Sequence, residues 1–233
     1  MSPPRRRLVL TCEHASRALP AAYRARFTDD EALLASHRGW DPGALDVARA
    51  LARRLRAPLV AGGITRLLVD LNRSPHNPAV VGALGRRLPK DEQRALIARY
   101  HAPHWARVRE VIRAAGRGGR PALHVAVHSF VPVLDGDRRD FEIGLLYDPA
   151  RAPERRLAAE WKRLLLDSPR RLRVRRNEPY RGNADGLATA LRRELPATRY
   201  AGFELELNQA ALEDASSRRA LVDVIATTLR AIC

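Results

Sequence analysis

Two spacings of apolar residues alternate along this chain. Short apolar runs are separated by longer stretches in which apolar residues recur every three or four positions, the pattern of strands alternating with amphipathic helices. Leu8 to Cys12 is a compact apolar run opening onto Glu13-His14, and it predicts a buried strand. Pro42 to Leu55 carries Leu45, Ala48, Leu51, Ala52 and Leu55 at helical steps, with Asp41 placed as N-cap and Pro42 as first helical residue. Pro58 to Ala61 and Leu67 to Leu71 predict strands on either side of Gly62-Gly63, and Asn72 to Pro78 predicts a loop.

Asp91 to Ala115 predicts a long helix with an interruption at Pro103. In Leu123 to His128 the apolar Leu123, Val125 and Val127 alternate with His124, Ala126 and His128, which predicts a strand with two different faces. Further strands are predicted at Ile143 to Tyr147, Leu172 to Arg176 and Phe203 to Leu207, and helices at Pro153 to Leu166, Asp185 to Leu195 and Ala215 to Ile232. Parallel strands need long, usually helical crossovers, so this order predicts one α/β domain over residues 1–233, with a mainly parallel mixed sheet and helices on both faces. In such sheets ligands bind outside the carboxyl ends of the strands.

With 233 residues and 45% hydrophobic content the chain can bury one substantial core. It contains no apolar run long enough for a membrane span, and the apolar stretch after Met1 to Arg7 is too short for a signal-peptide core, so a cytoplasmic protein without a membrane partner is expected. Cys12 and Cys233 stand too far apart in sequence to form a cysteine-rich metal knuckle, which leaves histidine and carboxylate as the donors for any zinc. The net charge of +16 invites a nucleic-acid partner. The arginines, however, are spread through every predicted helix, and no nucleic-acid motif accompanies them, so generic solvated helix faces are favoured. Oligomeric state is not written in the pattern.

The residues with chemical potential fall at predicted strand ends. Glu13-His14 follow the first strand, His128-Ser129 follow the strand from Leu123, and Glu206 lies near the end of the strand from Phe203. His14 and His128 are candidate metal ligands, each with an ordinary loop hydrogen bond as its alternative. The third ligand is Asp41 or Glu13: Asp41 has helix capping as an alternative role, and Glu13, as the neighbour of His14, points away from it along an extended segment. Glu204 and Glu206 share a strand face; Glu206, nearer the carboxyl end, is the candidate general base, and Glu204 is a candidate partner for an arginine. Arg73, after Asp70-Leu71-Asn72, offers a rigid fork for a substrate carboxylate, with Arg66 and Arg181 as further guanidinium groups. No Gly-x-Ser-x-Gly elbow supports a serine hydrolase, and no glycine-rich loop joins a strand to a helix as a phosphate cradle would require.

Five segments in order, Cys12-Glu13-His14-Ala15-Ser16, His37 to Gly43, Asp70 to Ser74, His128-Ser129-Phe130 and Asn177 to Gly182, resemble the N-formylglutamate amidohydrolase family. The resemblance runs from Leu8 to about Gln209. It implies a phosphorylase/hydrolase-like α/β fold, related to zinc carboxypeptidases and aspartoacylases, with one zinc at the strand ends. His14 and His128 match the two imidazole ligands. The relatives place a glutamate three residues after the first histidine, where this chain has Arg17, and Asp41 is the substitute ligand. The resemblance also implies Glu206 as general base, Arg66 polarising the scissile carbonyl and Asn72-Arg73 gripping the substrate carboxylate, with Ser129, Tyr180 and Arg181 as further candidate substrate contacts. The expected reaction is hydrolysis of a small acidic N-acyl amino acid such as N-formylglutamate. A non-catalytic nucleic-acid-binding protein on the same fold and an amidohydrolase or peptidase with another N-acyl substrate are the alternatives. The acyl group depends on loops such as Asp135 to Phe141, which the pattern leaves open.

Overall fold

The computed structural model describes residues 6–233. In chain order the elements are β1 (Arg7–Cys12), α1 (Ala21–Arg24), α2 (Glu31–Ala35), α3 (Ala44–Leu55), β2 (Leu59–Ala61), α4 (Lys90–Leu96), α5 (Ala102–Ala115), β3 (Ala122–Phe130), β4 (Val133–Leu134), β5 (Asp137–Arg138), β6 (Ile143–Leu146), α6 (Ala152–Leu166), β7 (Val174–Arg176), α7 (Leu187–Glu194), β8 (Tyr200–Asn208) and α8 (Ala215–Ile232). Six strands form a mixed sheet in the order β2-β1-β3-β8-β6-β7, while β4 and β5 form a separate hairpin. All neighbours in the main sheet run parallel except β6 and β8. The expected α/β class, with a mainly parallel mixed sheet and helices on both faces, is the observed one.

Alternation along the strands assigns the two faces. Leu123, Val125 and Val127 join Phe203, Leu205 and Leu207 on one face, where they pack against α3, α6 and α8 through Val47, Leu51, Leu157, Trp161, Leu221 and Ile225. Each such fully buried aliphatic or aromatic side chain is worth about 1.5–3 kcal/mol, so this layer is the main stabilising core. The other face is covered by α5 and α7 through Trp105, Val108, Ile112, Leu187 and Leu191, and it is there that polar residues enter the sheet. His124 is clamped between Thr11 Oγ1 at 2.8 Å and the Tyr200 hydroxyl at 2.7 Å. The chain runs from β1 to β2 on one side and β3 lies on the other, so the carboxyl ends of β1 and β3 flank a topological switch point.

Three expectations are corrected. Asp41 does not cap α3: the helix begins at Ala44, Gly43 occupies the cap position with φ +78°, and no side chain caps it. Its carboxylate turns instead to the imidazoles described below. Leu67 to Leu71 is not a strand. Leu67, Leu68, Val69 and Leu71 are all buried, without alternation, in a second apolar cluster with Val80, Val81 and Leu84, and the backbone is held by that loop, with Asp70 N donating to Val80 O and Gly82 N to Leu68 O. Only an isolated bridge, Val69 to Val81, remains of the expected pairing. The long helix from Asp91 is interrupted before Pro103, by a π-helical turn at Ile97–His101. Proline lacks the N–H for an i→i−4 bond, and the wider turn absorbs that loss without ending the helix.

Two features were not anticipated. Residues 21–35 form short helices around the second cluster, where Phe27 and Leu34 are buried. The β4–β5 hairpin turns at Asp135-Gly136, with φ of +50° and +83°, the paired left-handed conformation of a tight hairpin turn. It occupies the segment that the sequence left open. Among the described residues no helix is long and apolar enough to cross a membrane.

Candidate active site

The strand ends open into a cavity of about 680 Å³. His14, Asp41, Arg66, Asn72, Arg73, His128, Ser129, Tyr180, Arg181, Glu204 and Glu206 all line it, and Glu13 does not. Their convergence follows from topology: His14 follows β1, His128 and Ser129 lie near the carboxyl end of β3, and Glu206 lies near that of β8, with His128 directly opposite Glu206 in the parallel register.

At the base of the cavity His14, Asp41 and His128 each offer a donor atom, and these atoms lie within 4.8 Å of one another. Asp41 Oδ2 is 2.9 Å from His128 Nδ1 and 3.4 Å from His14 Nδ1. The far nitrogen of each imidazole meets a second carboxylate. His14 Nε2 is 2.7 Å from Asp70 Oδ1, and His128 Nε2 is 3.2 Å from Glu13 Oε2. Glu13 therefore stands behind His128 and outside the group of three. The carboxylate facing both Nδ1 atoms is Asp41.

Electrostatics describe the same arrangement. Against the effect of burial, His14 and His128 hold Asp41 well below the usual carboxylate range. Burial would likewise raise Glu13, yet His128 brings it down to about 2. His128 is raised well above its ordinary value, because Asp41 and Glu13 overcome the desolvation that opposes its charge. His14 Nδ1 is buried and has no hydrogen-bond partner. A buried, unsatisfied imidazole nitrogen beside an ionised carboxylate is costly in a protein interior, and a divalent cation would satisfy it. Two imidazoles and one carboxylate are also a donor set that zinc accepts, with a fourth position open.

Glu206 contrasts with this charged cluster. It is 4% exposed, its Oε2 has no partner, and burial, with Asp41 and Glu204 adding to it, pushes its pKa up to about 7. A carboxylate poised near neutrality in a cavity has the proton affinity that acid–base chemistry requires. Glu204, expected to pair with an arginine, has no such ion pair among the described residues. Its pKa is raised by burial, and the Arg192 guanidinium that might have neutralised it is bonded elsewhere.

The guanidinium groups are fixed by backbone and carboxylate. Arg66 Nη1 lies 3.5 Å from Asp41 Oδ1 and its Nη2 lies 3.3 Å from Asp70 Oδ2, so one side chain links both carboxylates. Arg73 Nη1 donates to Asp185 O at 3.1 Å, and its own carbonyl is met by His101 Nε2 at 2.7 Å. Trp105 Nε1 donates to Leu71 O at 2.7 Å, so the π turn and the start of α5 hold the loop carrying Asn72 and Arg73. Ser129 Oγ donates to Pro42 O at 2.8 Å. Tyr180 accepts at its hydroxyl from Arg139 at 3.2 Å, and Arg181 is exposed at the cavity mouth.

The loop bearing Tyr180 and Arg181 is latched from beneath. Asn177 Oδ1 accepts from Tyr147 N and Gly182 N, and a Cβ on Gly182 would meet Tyr147 N at 2.1 Å. Arg192 Nη1 donates to Gly182 O at 2.6 Å while its Nε sits 3.1 Å from both oxygens of Glu154, in a buried ion pair. Replacing Arg192 with Met leaves Glu154 buried with only the longer approach of Arg151 Nε, 3.5 Å from its Oε1, in place of the close pair. Denaturant unfolding should show a loss of about 3–5 kcal/mol; an unchanged midpoint would mean that the pair contributes little.

The pairings at Asp70 and the latch through Arg192 were invisible in the sequence. Asp70 lies two residues before Asn72, and that proximity is its one signal in the sequence. Arg192 gave none, because one arginine of a helix looks like another.

Comparison with known proteins places the sequence and its fold. The sequence model of the N-formylglutamate amidohydrolases matches residues 6–212. Among solved structures, a gene product of Agrobacterium tumefaciens superposes with a TM-score of 0.81 at 30% identity, covering 98% of this chain and 92% of that one. The N-formylglutamate amidohydrolase of Ralstonia eutropha superposes with a TM-score of 0.69 at 19% identity, covering 99% and 94%. No curated protein matches the sequence. The chain belongs to the N-formylglutamate amidohydrolase family.

Proposed function

We propose that the protein is a zinc-dependent hydrolase of small, acidic N-acyl amino acids, with N-formylglutamate as the reference substrate. The observation that carries this is the buried His14, Asp41 and His128 group placed in one cavity with Glu206. His14 and His128 would hold the ion through Nδ1, since the Nε2 of each is turned to Asp70 or Glu13. Zinc, when bound, supplies Lewis acidity and a water acidic enough to ionise near neutrality.

The remaining work falls to the chain's own groups. Glu206 takes a proton from the attacking water and returns it to the leaving amine, so that formate or another acid departs with the free amino acid. Arg66 provides positive charge for the developing oxyanion, preorganised by its carboxylate partners. Asn72, Arg73 and Arg181 bind substrate carboxylate, with Tyr180 and Ser129 completing the wall. Ser129 contributes shape more than a free donor, because its hydroxyl is already given to Pro42.

Assay of a panel of N-formyl and N-acyl amino acids, before and after treatment with a chelator, tests the proposal. Turnover that disappears with the metal and returns with zinc is expected; turnover indifferent to chelation would reject it. Replacing Arg73 with Met should raise KM about 10–100-fold, the worth of a hydrogen bond to a charged group, with a smaller change in kcat. An unchanged KM would move the substrate carboxylate elsewhere. Asp70→Asn and Glu13→Gln should each weaken zinc binding by about 10–100-fold in competition with a chromophoric chelator, because each removes the carboxylate behind a metal-binding imidazole. Equal affinity in both variants would show that these carboxylates do not orient the ligands.

A further inference from the structure

Glu204 is a carboxyl group that the chemistry above leaves unused. It stands two residues before Glu206 on β8, so strand alternation puts both on one face, and it lines the same cavity. Among the described residues no hydrogen bond or ion pair engages it. Its place is defined by Gly186: Glu204 Oε1 lies 3.4 Å from where a Cβ of that glycine would stand, and Asn72 Oδ1 lies 3.2 Å from the same point. Asn72 Oδ1 accepts from Leu187 N at 3.0 Å, which leaves the amide nitrogen as the free end of that side chain. Arg73 is anchored on Asp185 O, the residue before Gly186. Glu204, Asn72 and Arg73 thus converge on one corner of the cavity.

The convergence is chemically informative. Glu204 is only partly buried in the open cavity, but a substrate that fills the cavity would cut it off from water; an ionised carboxylate without a partner is then costly, and one beside the guanidinium proposed to bind substrate would repel an anionic ligand. A protonated carboxyl is instead a donor, and it can be set against a substrate carboxylate. Burial, joined by Glu13 and opposed by His128 and Arg192, raises the Glu204 pKa in that direction.

We propose that Glu204 is a substrate-binding residue that donates a hydrogen bond to a free carboxylate of the substrate, alongside Asn72 and Arg73. The substrates are then N-acyl amino acids whose carboxylate reaches this corner of the cavity. This rests on the amidohydrolase reading above and adds a third contact to its carboxylate subsite.

Binding measured by calorimetry in a Glu206→Gln background, where turnover is removed, tests it without relying on activity. Glu204→Leu keeps the bulk and loses the donor, and Glu204→Gln keeps a donor; circular dichroism checks that both fold. The probes are N-formylglutamate, its dimethyl ester and N-formyllysine. Glu204→Leu should weaken N-formylglutamate about 10–100-fold, Glu204→Gln should bind within about three-fold of the parent, and the ester should bind weakly and equally to all three. The proposal is overturned if Glu204→Leu binds the acid as well as the parent does, or if acid and ester lose affinity alike. Tighter binding of N-formyllysine that is lost in Glu204→Gln would also overturn it, by showing an ionised Glu204 that holds a cation. Should the unmodified protein hydrolyse nothing in the panel while the acid still binds with the expected Glu204 dependence, the amidohydrolase reading falls and the carboxylate contact stands.

Discussion

Replacing Glu206 with Gln should lower kcat by about 10²–10⁴-fold, the usual contribution of a positioned acid–base group, while leaving about one metal ion per chain. The amide keeps the shape of the carboxyl and some of its hydrogen bonding, but it cannot accept the proton from water or return it to the leaving amine. Metal content should survive because Glu206 is not among the three residues whose donor atoms cluster at the cavity base. The same assignment fixes a pH dependence. Glu206 must be ionised to act, and burial sets its pKa at about 7 in the metal-free protein, so kcat/KM should rise with pH through its acid limb. A bound cation favours the ionised form, and the limb of the loaded enzyme should therefore lie below that value. Rates measured across pH in the parent protein and in Glu206→Gln give the check. A variant that keeps full activity and the same acid limb would assign the proton transfer to another group.

The second large effect is expected at His128. His128→Ala removes one of the proposed metal donors and, in the metal-free protein, the cation that lies between Asp41 and Glu13, both nearly inaccessible to solvent. Two buried carboxylates would then face each other across an empty space, and protonation of one of them is the cheapest relief. Metal content should fall from about one ion per chain to near none, hydrolysis should become undetectable, and stability near neutral pH should drop by about 3–5 kcal/mol. The sign of the recovery follows from the carboxylates. In the parent protein Glu13 is held at about 2 by His128, so its contribution to stability is present above the unfolded value and is lost as pH falls through the folded one. In the variant that support is absent, and the deficit relative to the parent should shrink at acid pH. Elemental analysis and unfolding at two pH values measure both parts. Retained metal with retained turnover would remove His128 from the site.

Much of this arrangement was legible because it depends on periodicity. Leu123 to His128 alternates cleanly, and the structure puts its leucine and valines into the main core and His128 on the other face, in the cavity lining. Ala215 to Ile232 was bounded correctly, since an amphipathic helix carries its own signal. Leu67 to Leu71 was misread because an apolar run says that a segment is buried and not that it pairs in a sheet; here the loop from Val80 to Gly85 satisfies its backbone. Asp41 shows the same limit at a single residue. Its position before a helix fits a cap, and only the fold reveals His14 and His128 close enough to claim the carboxylate. The residues behind the site, Asp70 and Glu13 at the imidazoles and Arg192 under the substrate loop, act across long sequence separations and leave no periodic trace.

The central claim is that His14, His128 and Asp41 share one zinc ion. X-ray absorption at the zinc edge, on protein carrying one equivalent of zinc, tests it most directly. A first shell of nitrogen and oxygen alone is expected, with multiple-scattering features of two imidazoles in the parent and of one in His14→Ala. Sulfur in that shell, or a spectrum that His14→Ala leaves unchanged, would contradict the claim.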